Sequence, residues 1–481
     1  MTFRWFAIAL AGVGLALVGC GAGAPIGQGT PGSPAASRFV HRASGSAGQY
    51  ISHVIVIVQE NRSFENFFAG YPGANAPLTG CASPTPGPGA PSRFSPRAYP
   101  VRTTSGSGCP AGDKQVTLHQ DTFKKNPDLE HTWHSSITDW NGGQMDGFTS
   151  FGGKGGPDAS YTYIAHSEIQ PYLTMANQYV LADEMFPTEF GGSFTGHLTM
   201  VAGTDDIKLP DQAEVDFPSK APDDCDAPPG TKSDFITPNR HESYKGPFPC
   251  FDQFNTIAQV LDGAGVSWKF YATKVLDAGM WEPFEAIKYV RYGSDWSSNI
   301  VAPQTQVLAD AASGDLASVD WVTPSRLDSD HPQYLSDKGP SWVASVVNAV
   351  GESAYWPNTA IIVVWDDWGG FYDNAAPPQL DYRGLGIRVP CLIISPYAKQ
   401  GYVSHVQYEY GSILRFIEEV NNLPAGSIGP TSQGYTDGRA ASLDDAFDFT
   451  QQPRQFTPIS SKYPMSDFRR EPPSNEPVDT E

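Results

Sequence analysis

The amino-acid sequence predicts an α/β fold: a mainly parallel central sheet, helices on both faces and disulfide-closed insertions. Three observations predict it. Apolar runs recur at 53–58 (HVIVIV), 266–271 (VSWKFY), 319–323 (VDWVT), 359–365 (TAIIVVW) and 389–395 (VPCLIIS). They are continuous rather than alternating, which suits strands buried on both faces of a parallel sheet. Helical patterns lie between them, in FDQFNTIAQVLDGAG (251–265), SWVASVVNAVGES (341–353) and the amphipathic YEYGSILRFIEEVNNL (408–423). Strands alternating with helices argue for one α/β domain, placed here at residues 50–425. The third observation is the set of cysteines that bracket long loops.

The first twenty residues stand outside that domain. MTFRW and the short apolar FAIALAGVGLALVGC fit a secretory signal and are too short to span as a mature helix. The end, Leu17-Val18-Gly19-Cys20, resembles the lipobox of bacterial lipoproteins, in which the cysteine is lipidated. That predicts an extracytoplasmic protein anchored to the bacterial envelope through lipid on Cys20. Residues 21–49, rich in Gly, Ala, Pro and Ser, read as a flexible tether. Of the six cysteines, Cys81 and Cys109 bracket one loop, and Cys225 and Cys250 another. Those are the expected pairs in an exported chain, although four cysteines permit three connectivities. Cys391 reads as a buried strand residue. The regions 72–115 and 205–250 are the expected insertions, and 426–481 reads as a C-terminal extension, largely loop.

At 481 residues and 40% hydrophobic, the chain can bury a large core. Its net charge of −21 repels nucleic-acid backbones and anionic lipid surfaces. No nucleic-acid partner is expected. Divalent cations and neutral or zwitterionic substrates are easier partners.

Ligands of open α/β sheets bind at the carboxyl ends of strands, so the residues just after each run are informative. HVIVIV leads to Glu60 and Asn61. VDWVT leads to Asp328, Asp330 and His331. TAIIVVW leads to Asp366 and Asp367, then Asp373. VPCLIIS leads to His405. Adjacent carboxylates such as Asp366 and Asp367 repel each other on a buried strand end, each unit of raised pKa costing about 1.4 kcal/mol. A divalent cation removes that penalty. The donor set suits Ca²⁺, Mg²⁺ or Mn²⁺, and Asp with His also holds Zn²⁺.

A fifth segment, ADEMFPTEFGGSFTGHLTMVAGT (182–204), runs from a polar loop into helical spacing. It places Ser193 near a helix N-terminus, where N–H groups favour an anion. A serine needs a base or metal to become a nucleophile. No GxSxG elbow is present, which disfavours a Ser-His-Asp hydrolase. In DLEHTWHSS, His131 is a candidate phosphate donor or metal ligand, and a helix through HTWHS would put His134 on a neighbouring face.

Together these segments resemble the bacterial phosphoesterase family that holds the phosphatidylcholine-type phospholipases C and related acid phosphatases. The matching residues are VIVIVQENRSFENFF, Asp128-x-x-His131-x-Trp133 with MDGF (145–148), Ser193 with Ala202-Gly203-Thr204, Asp330-His331-Pro332, the acid pair with GGFYDN and two prolines (366–378), and SPYAKQGYVSH with its helix (395–420). The resemblance implies an alkaline-phosphatase-like fold. It also implies hydrolysis of a phosphomonoester or phospholipid through a phospho-serine at a divalent metal ion. Carried over by position, Glu60, Asn61, Ser193, Asp366 and Asp367 form the metal shell, while His131, Asp330 and His331 line the phosphate pocket. His331, oriented by a carboxylate, is the expected donor to the leaving alcohol.

The chain departs from the family pattern in three places. Thr195-Gly196-His197 replaces a segment with Asn, Asn374 replaces a His, and Glu409-Tyr410-Gly411-Ser412 lacks another His. An arylsulfatase on the same fold is disfavoured, because Ser193-Phe194-Thr195-Gly196-His197 lacks the Pro and Arg of the formylglycine motif. A catalytically silent surface binding protein is the alternative, with aromatic clusters at 293–298 and 366–372 as a possible cation cage.

Overall fold

The structure is a computed structural model that describes residues 47–84, 109–110, 112–150, 155–208 and 212–477. The signal segment, Cys20 and nearly all of the tether lie outside the described residues. Nine strands form the central sheet: β1 (His53–Gln59), β2 (Val180–Phe186), β3 (Trp268–Tyr271), β4 (Ile300–Val301), β5 (Val319–Val322), β6 (Thr359–Trp365), β7 (Val389–Ile394), β8 (Tyr402–Ser404) and β9 (Tyr408–Glu409). Their order is β4-β3-β5-β1-β6-β7-β2-β8, with β9 also paired to β2. β1 pairs in parallel with both β5 and β6. The run at 389–395, expected to be parallel, is not: β7 is antiparallel to both β6 and β2. An apolar run reports burial on two faces, and β7 is buried throughout, but it carries no direction. Two reversals leave β2 pointing the same way as β6.

Every residue of β6 and β7 is buried, so both faces of the sheet are covered. The helices that bear on this are α1 (Phe64–Phe68), α2 (Trp133–Trp140), α3 (Gln170–Gln178), α4 (Ser193–Ala202), α5 (Ile257–Ala264), α6 (Val307–Ser313), α7 (Gly339–Gly351) and α8 (Tyr410–Val420). α3 and α6 pack on α7, and α5 and α8 pack on α4. Local chemistry sets their ends. Thr256 and Gln259 form a capping box at α5, and Gly265 closes it in the left-handed region. Glu409 and Ser412 form another capping box at α8, so the segment that departs from the family pattern starts a helix by its own means.

Both expected disulfides are present, Cys81–Cys109 and Cys225–Cys250, and Cys391 is free and buried. The second insertion holds a small antiparallel sheet of Asp206–Lys208, Gln212–Pro218, Ser233–Ile236 and Glu242–Ser243. Among the described residues, those after 425 form only short helical turns and are tied to the core, Thr436 N–H donating to Gly203 O at 3.0 Å. No helix among the described residues is long and apolar enough to cross a membrane.

Candidate active site

The site forms where β1, β6 and the β2–α4 loop meet at the carboxyl edge. Register sets the first two side by side: Gln59 lies opposite Trp365, and Asp366 N–H donates to Gln59 O at 3.0 Å. Glu60 and Asp366 therefore leave the sheet together. At Asn61 the chain turns through a left-handed conformation (φ 58°), and its N–H donates to Asp366 Oδ1 at 2.8 Å. Gly369 makes room for this turn. It has φ 62°, and a Cβ there would lie 2.1 Å from Asn61 O. Arg62, the last residue of the polar run, turns away. Its Nε donates to Asp330 O at 2.8 Å and its Nη1 to Asn66 at 3.0 Å. Burial lowers its pKa to about 10, opposed by Asp330, so it stays charged near neutrality.

Ser193 is the first residue of α4, behind the Gly192 cap. Its hydroxyl donates toward Asp367 Oδ2 at 3.2 Å and Asn61 Oδ1 at 3.5 Å. His131 sets the direction of that amide. Its Nδ1–H donates to Leu129 O at 2.6 Å, so Nε2 is the acceptor, and it takes the Asn61 amide N–H at 2.7 Å. The Asn61 oxygen is thereby left to face Ser193.

Sequence reading missed His197. One helical turn after Ser193, it shares that residue's face of α4, and its Nε2 lies 3.1 Å from Glu60 Oε1 and 3.7 Å from Asp366 Oδ2. The four-residue spacing from Ser193 was the available signal. Glu60, His197 and Asp366 are all buried, and each offers a ligand atom within 4.8 Å of the others. Asp366 Oδ2 accepts no hydrogen bond although it is fully buried. Two carboxylates and an imidazole around an unsatisfied buried oxygen fit a divalent cation, and this triad can hold one. The position that breaks the family pattern at 195–197 thus returns a candidate ligand.

The other expected residues separate into near and far. His331 is near, its ring 6.0 Å from that of His131. Its Nδ1 accepts the Gln333 N–H at 3.2 Å, which leaves the proton on Nε2. Asp330 is set behind it, where Oδ2 accepts from Tyr172 at 2.7 Å and Trp365 at 3.1 Å. Burial raises its pKa to about 7 against those hydrogen bonds and the Arg62 charge. These partners lie in the core, which corrects its expected place in the phosphate pocket. Asp373 is bound to buried Arg388 at 3.0 Å. His405 pairs with Asp183 at 2.9 Å, because β8 runs parallel to β2 with Ser404 opposite Ala182, which sets His405 beside the middle of β2 and short of its carboxyl end. His131 precedes α2 and its Thr132 cap, whereas His134 is exposed on that helix.

A family model described as "Phosphoesterase family" matches residues 51–424. The chain is 25% identical over 449 residues to a non-hemolytic phospholipase C of Pseudomonas aeruginosa, covering 85% of this chain but 58% of that protein. It is also 25% identical over 464 residues to phospholipase C B of Mycobacterium tuberculosis, covering 85% and 80%. A solved structure of an alkaline phosphatase superfamily protein from Vibrio parahaemolyticus aligns over 68% of this chain and 70% of that one, at 14% identity and a TM-score of 0.35.

Proposed function

The chain belongs to the phosphoesterase family, and from that premise we propose that it is a metal-dependent hydrolase of phosphoric esters working through a phosphorylated Ser193. One observation carries the reading: a buried serine hydroxyl at the start of a helix, 3.2 Å from Asp367 and one helical turn from the Glu60–His197–Asp366 triad. Glu60, His197 and Asp366 would hold the cation, with Asn61 and Asp367 beside it. Bound there, it would supply charge neutralisation for a phosphoryl group and make the serine hydroxyl more acidic.

Asp367 receives the Ser193 proton, or directs it, as Oγ attacks phosphorus in line. The Oγ–P bond forms while the bond from phosphorus to the ester oxygen breaks. First-turn N–H groups of α4 face the transferred phosphoryl oxygens. His331 presents Nε2–H to the departing oxygen. With Nδ1 engaged by the Gln333 N–H, it acts as a hydrogen-bond donor to that oxygen, which takes its proton from water and leaves as the alcohol. His131 holds Asn61 and so positions Ser193. Water then cleaves the phospho-serine, releasing phosphate or a phosphomonoester and restoring the hydroxyl. Asp330 acts as a positioning residue, fixing the loop that carries His331.

The phospholipase C names among the relatives favour a phospholipid over a simple monoester. The lipobox-like Leu17-Val18-Gly19-Cys20 supports attachment to the envelope by lipid. The test is hydrolysis of p-nitrophenyl phosphate and p-nitrophenyl phosphorylcholine, with and without chelator, beside Ser193→Ala. Chelator-sensitive turnover that the variant lacks is expected. No turnover of either ester by the metal-loaded protein, from acidic to alkaline pH, would leave the silent binding protein as the better account.

A further inference from the structure

We infer that the loops following β3 and β5 form a docking surface for a zwitterionic lipid–water interface, beside the catalytic edge. β3 and β5 are parallel neighbours, Tyr271 opposite Val322, so their loops leave the same edge together. Of the exposed aliphatic side chains among the described residues, four lie on these two loops: Val275 (43% exposed), Leu276 (47%), Leu327 (49%) and Leu335 (47%). Single exposed aliphatics are ordinary, but a cluster on adjoining loops marks an interaction site.

The backbone adds an independent observation. Leu335 is held in the left-handed region (φ 48°, ψ 35°), a conformation that asparagine or glycine adopts far more readily than leucine. An exposed leucine there satisfies neither local backbone preference nor the core.

The loops are joined to each other and to the site. One cleft is lined by Lys274 and Trp281 from the first loop, Arg326 from the second and Glu476 from the C-terminal segment. Lys274 Nζ donates to Glu476 O, and Arg326 N–H to Glu476 Oε2 at 3.4 Å, so that segment straps the loops side by side. Trp281 stacks near His331 with ring centroids 6.1 Å apart, and Tyr334 lies 5.1 Å from the same ring. Leu335 follows Tyr334 directly, so this apolar tip adjoins the residue proposed to meet the leaving group.

Charge selects the partner. Two of the apolar tips lie between a cation and an acid, Lys274 and Asp277 around Val275-Leu276 and Arg326 and Asp328 around Leu327. That pattern matches lipid phosphates lying above acyl chains. The net charge of −21 works against an anionic membrane and favours a zwitterionic one. The inference rests on the proposed hydrolysis only for the use made of the docked lipid.

The test takes the full chain carrying Cys20→Ser, which accepts no lipid, and measures co-sedimentation with phosphatidylcholine vesicles. It compares this protein with the same chain carrying Leu335→Asn, which suits the left-handed backbone, or Leu276→Asp. Vesicle partitioning is expected to fall about tenfold for each leucine replaced, while hydrolysis of soluble p-nitrophenyl phosphorylcholine holds. Unchanged partitioning, a parallel loss of soluble turnover, or a change in oligomeric state instead would overturn the inference. If the unsubstituted chain hydrolyses no soluble ester, the catalytic reading fails, and the sedimentation result still decides the docking surface.

Discussion

Replacing Gly196 with alanine should separate catalysis from folding. Gly196 lies in α4 between Ser193 and His197, and an added Cβ would stand 2.4 Å from Asp366 O. Ordinary contact begins near 3.4 Å, so α4 and the end of β6 must part by about 1 Å. Overpacking of this kind costs about 1–3 kcal/mol, and alanine returns up to about 1 kcal/mol of helix propensity. The net loss is about 0–2 kcal/mol. For a folded body of this size, with unfolding entropy near 2 cal/mol/K per residue, Tm should drop by no more than about 2 °C. Catalysis should suffer far more, because a 1 Å misplacement between reacting groups costs about 100-fold. The assay is kcat for p-nitrophenyl phosphorylcholine beside a calorimetric melt. Gly263→Ala is the control, since a Cβ at that position in α5 meets nothing within 4 Å. It should raise Tm slightly and leave kcat alone. Wild-type kcat in Gly196→Ala would show that the spacing between α4 and β6 does not set the site.

His197→Ala should weaken retention of the cation by more than about 100-fold, beyond the 10–100-fold typical of an outer partner. Metal content after dialysis reads this directly, and full retention would remove His197 from the donor set. Asp320 in β5 is buried, with Oδ1 accepting from Ala317 N–H at 3.2 Å and Oδ2 unsatisfied. Burial raises its pKa from 3.8 to about 7. Between about pH 4 and 7 the unfolded chain has lost that proton and the native protein still holds it, so stability falls as pH rises and then levels off. Asp320→Asn should therefore stabilise increasingly across that window, by at most about 4 kcal/mol above it; a gain independent of pH would contradict the assignment. Cys225→Ser with Cys250→Ser opens a loop spanning 25 residues and should lower unfolding free energy by about 3 kcal/mol, read from the denaturant midpoint.

The parts legible in the sequence are those written in local pattern. β1 and β6 are visible because their runs are apolar along the whole strand, and the acids after them can be placed once parallel register is assumed. β2 is hidden, because Asp183 and Glu184 interrupt its apolar residues. The partners that make Asp183 tolerable, Asn75 N–H at 2.8 Å and His405, come from distant segments. Asp373 and His405 look like site residues because a strand-end acid or imidazole gives no hint of the Arg388 or Asp183 that engages it. Arg62 follows the two expected ligands directly, yet its direction is set by Asp330 and Asn66, far along the chain or a turn away. His197 escapes for a different reason. Set against the residue usual at that position it counts as a loss, and its value shows only beside Ser193, its neighbour on the helix.

The reversed strand β7 has a mechanical consequence. It lies between β6 and β2, so the strands that supply Asp367 and Ser193 are two spacings apart, about 10 Å. Ser193 Oγ nevertheless approaches Asp367 to 3.2 Å. The span is closed above β7, which has its beginning at this edge, and its incoming segment packs on the crossing loop, Gly386 N–H donating to Pro187 O at 3.0 Å. Its entry is clamped by Arg388, joined to Asp373 and to Asp183 O at 2.7 Å. β7 thus works as a saddle: its pinned entry carries residues 187–192 across it and so delivers the hydroxyl to the acid.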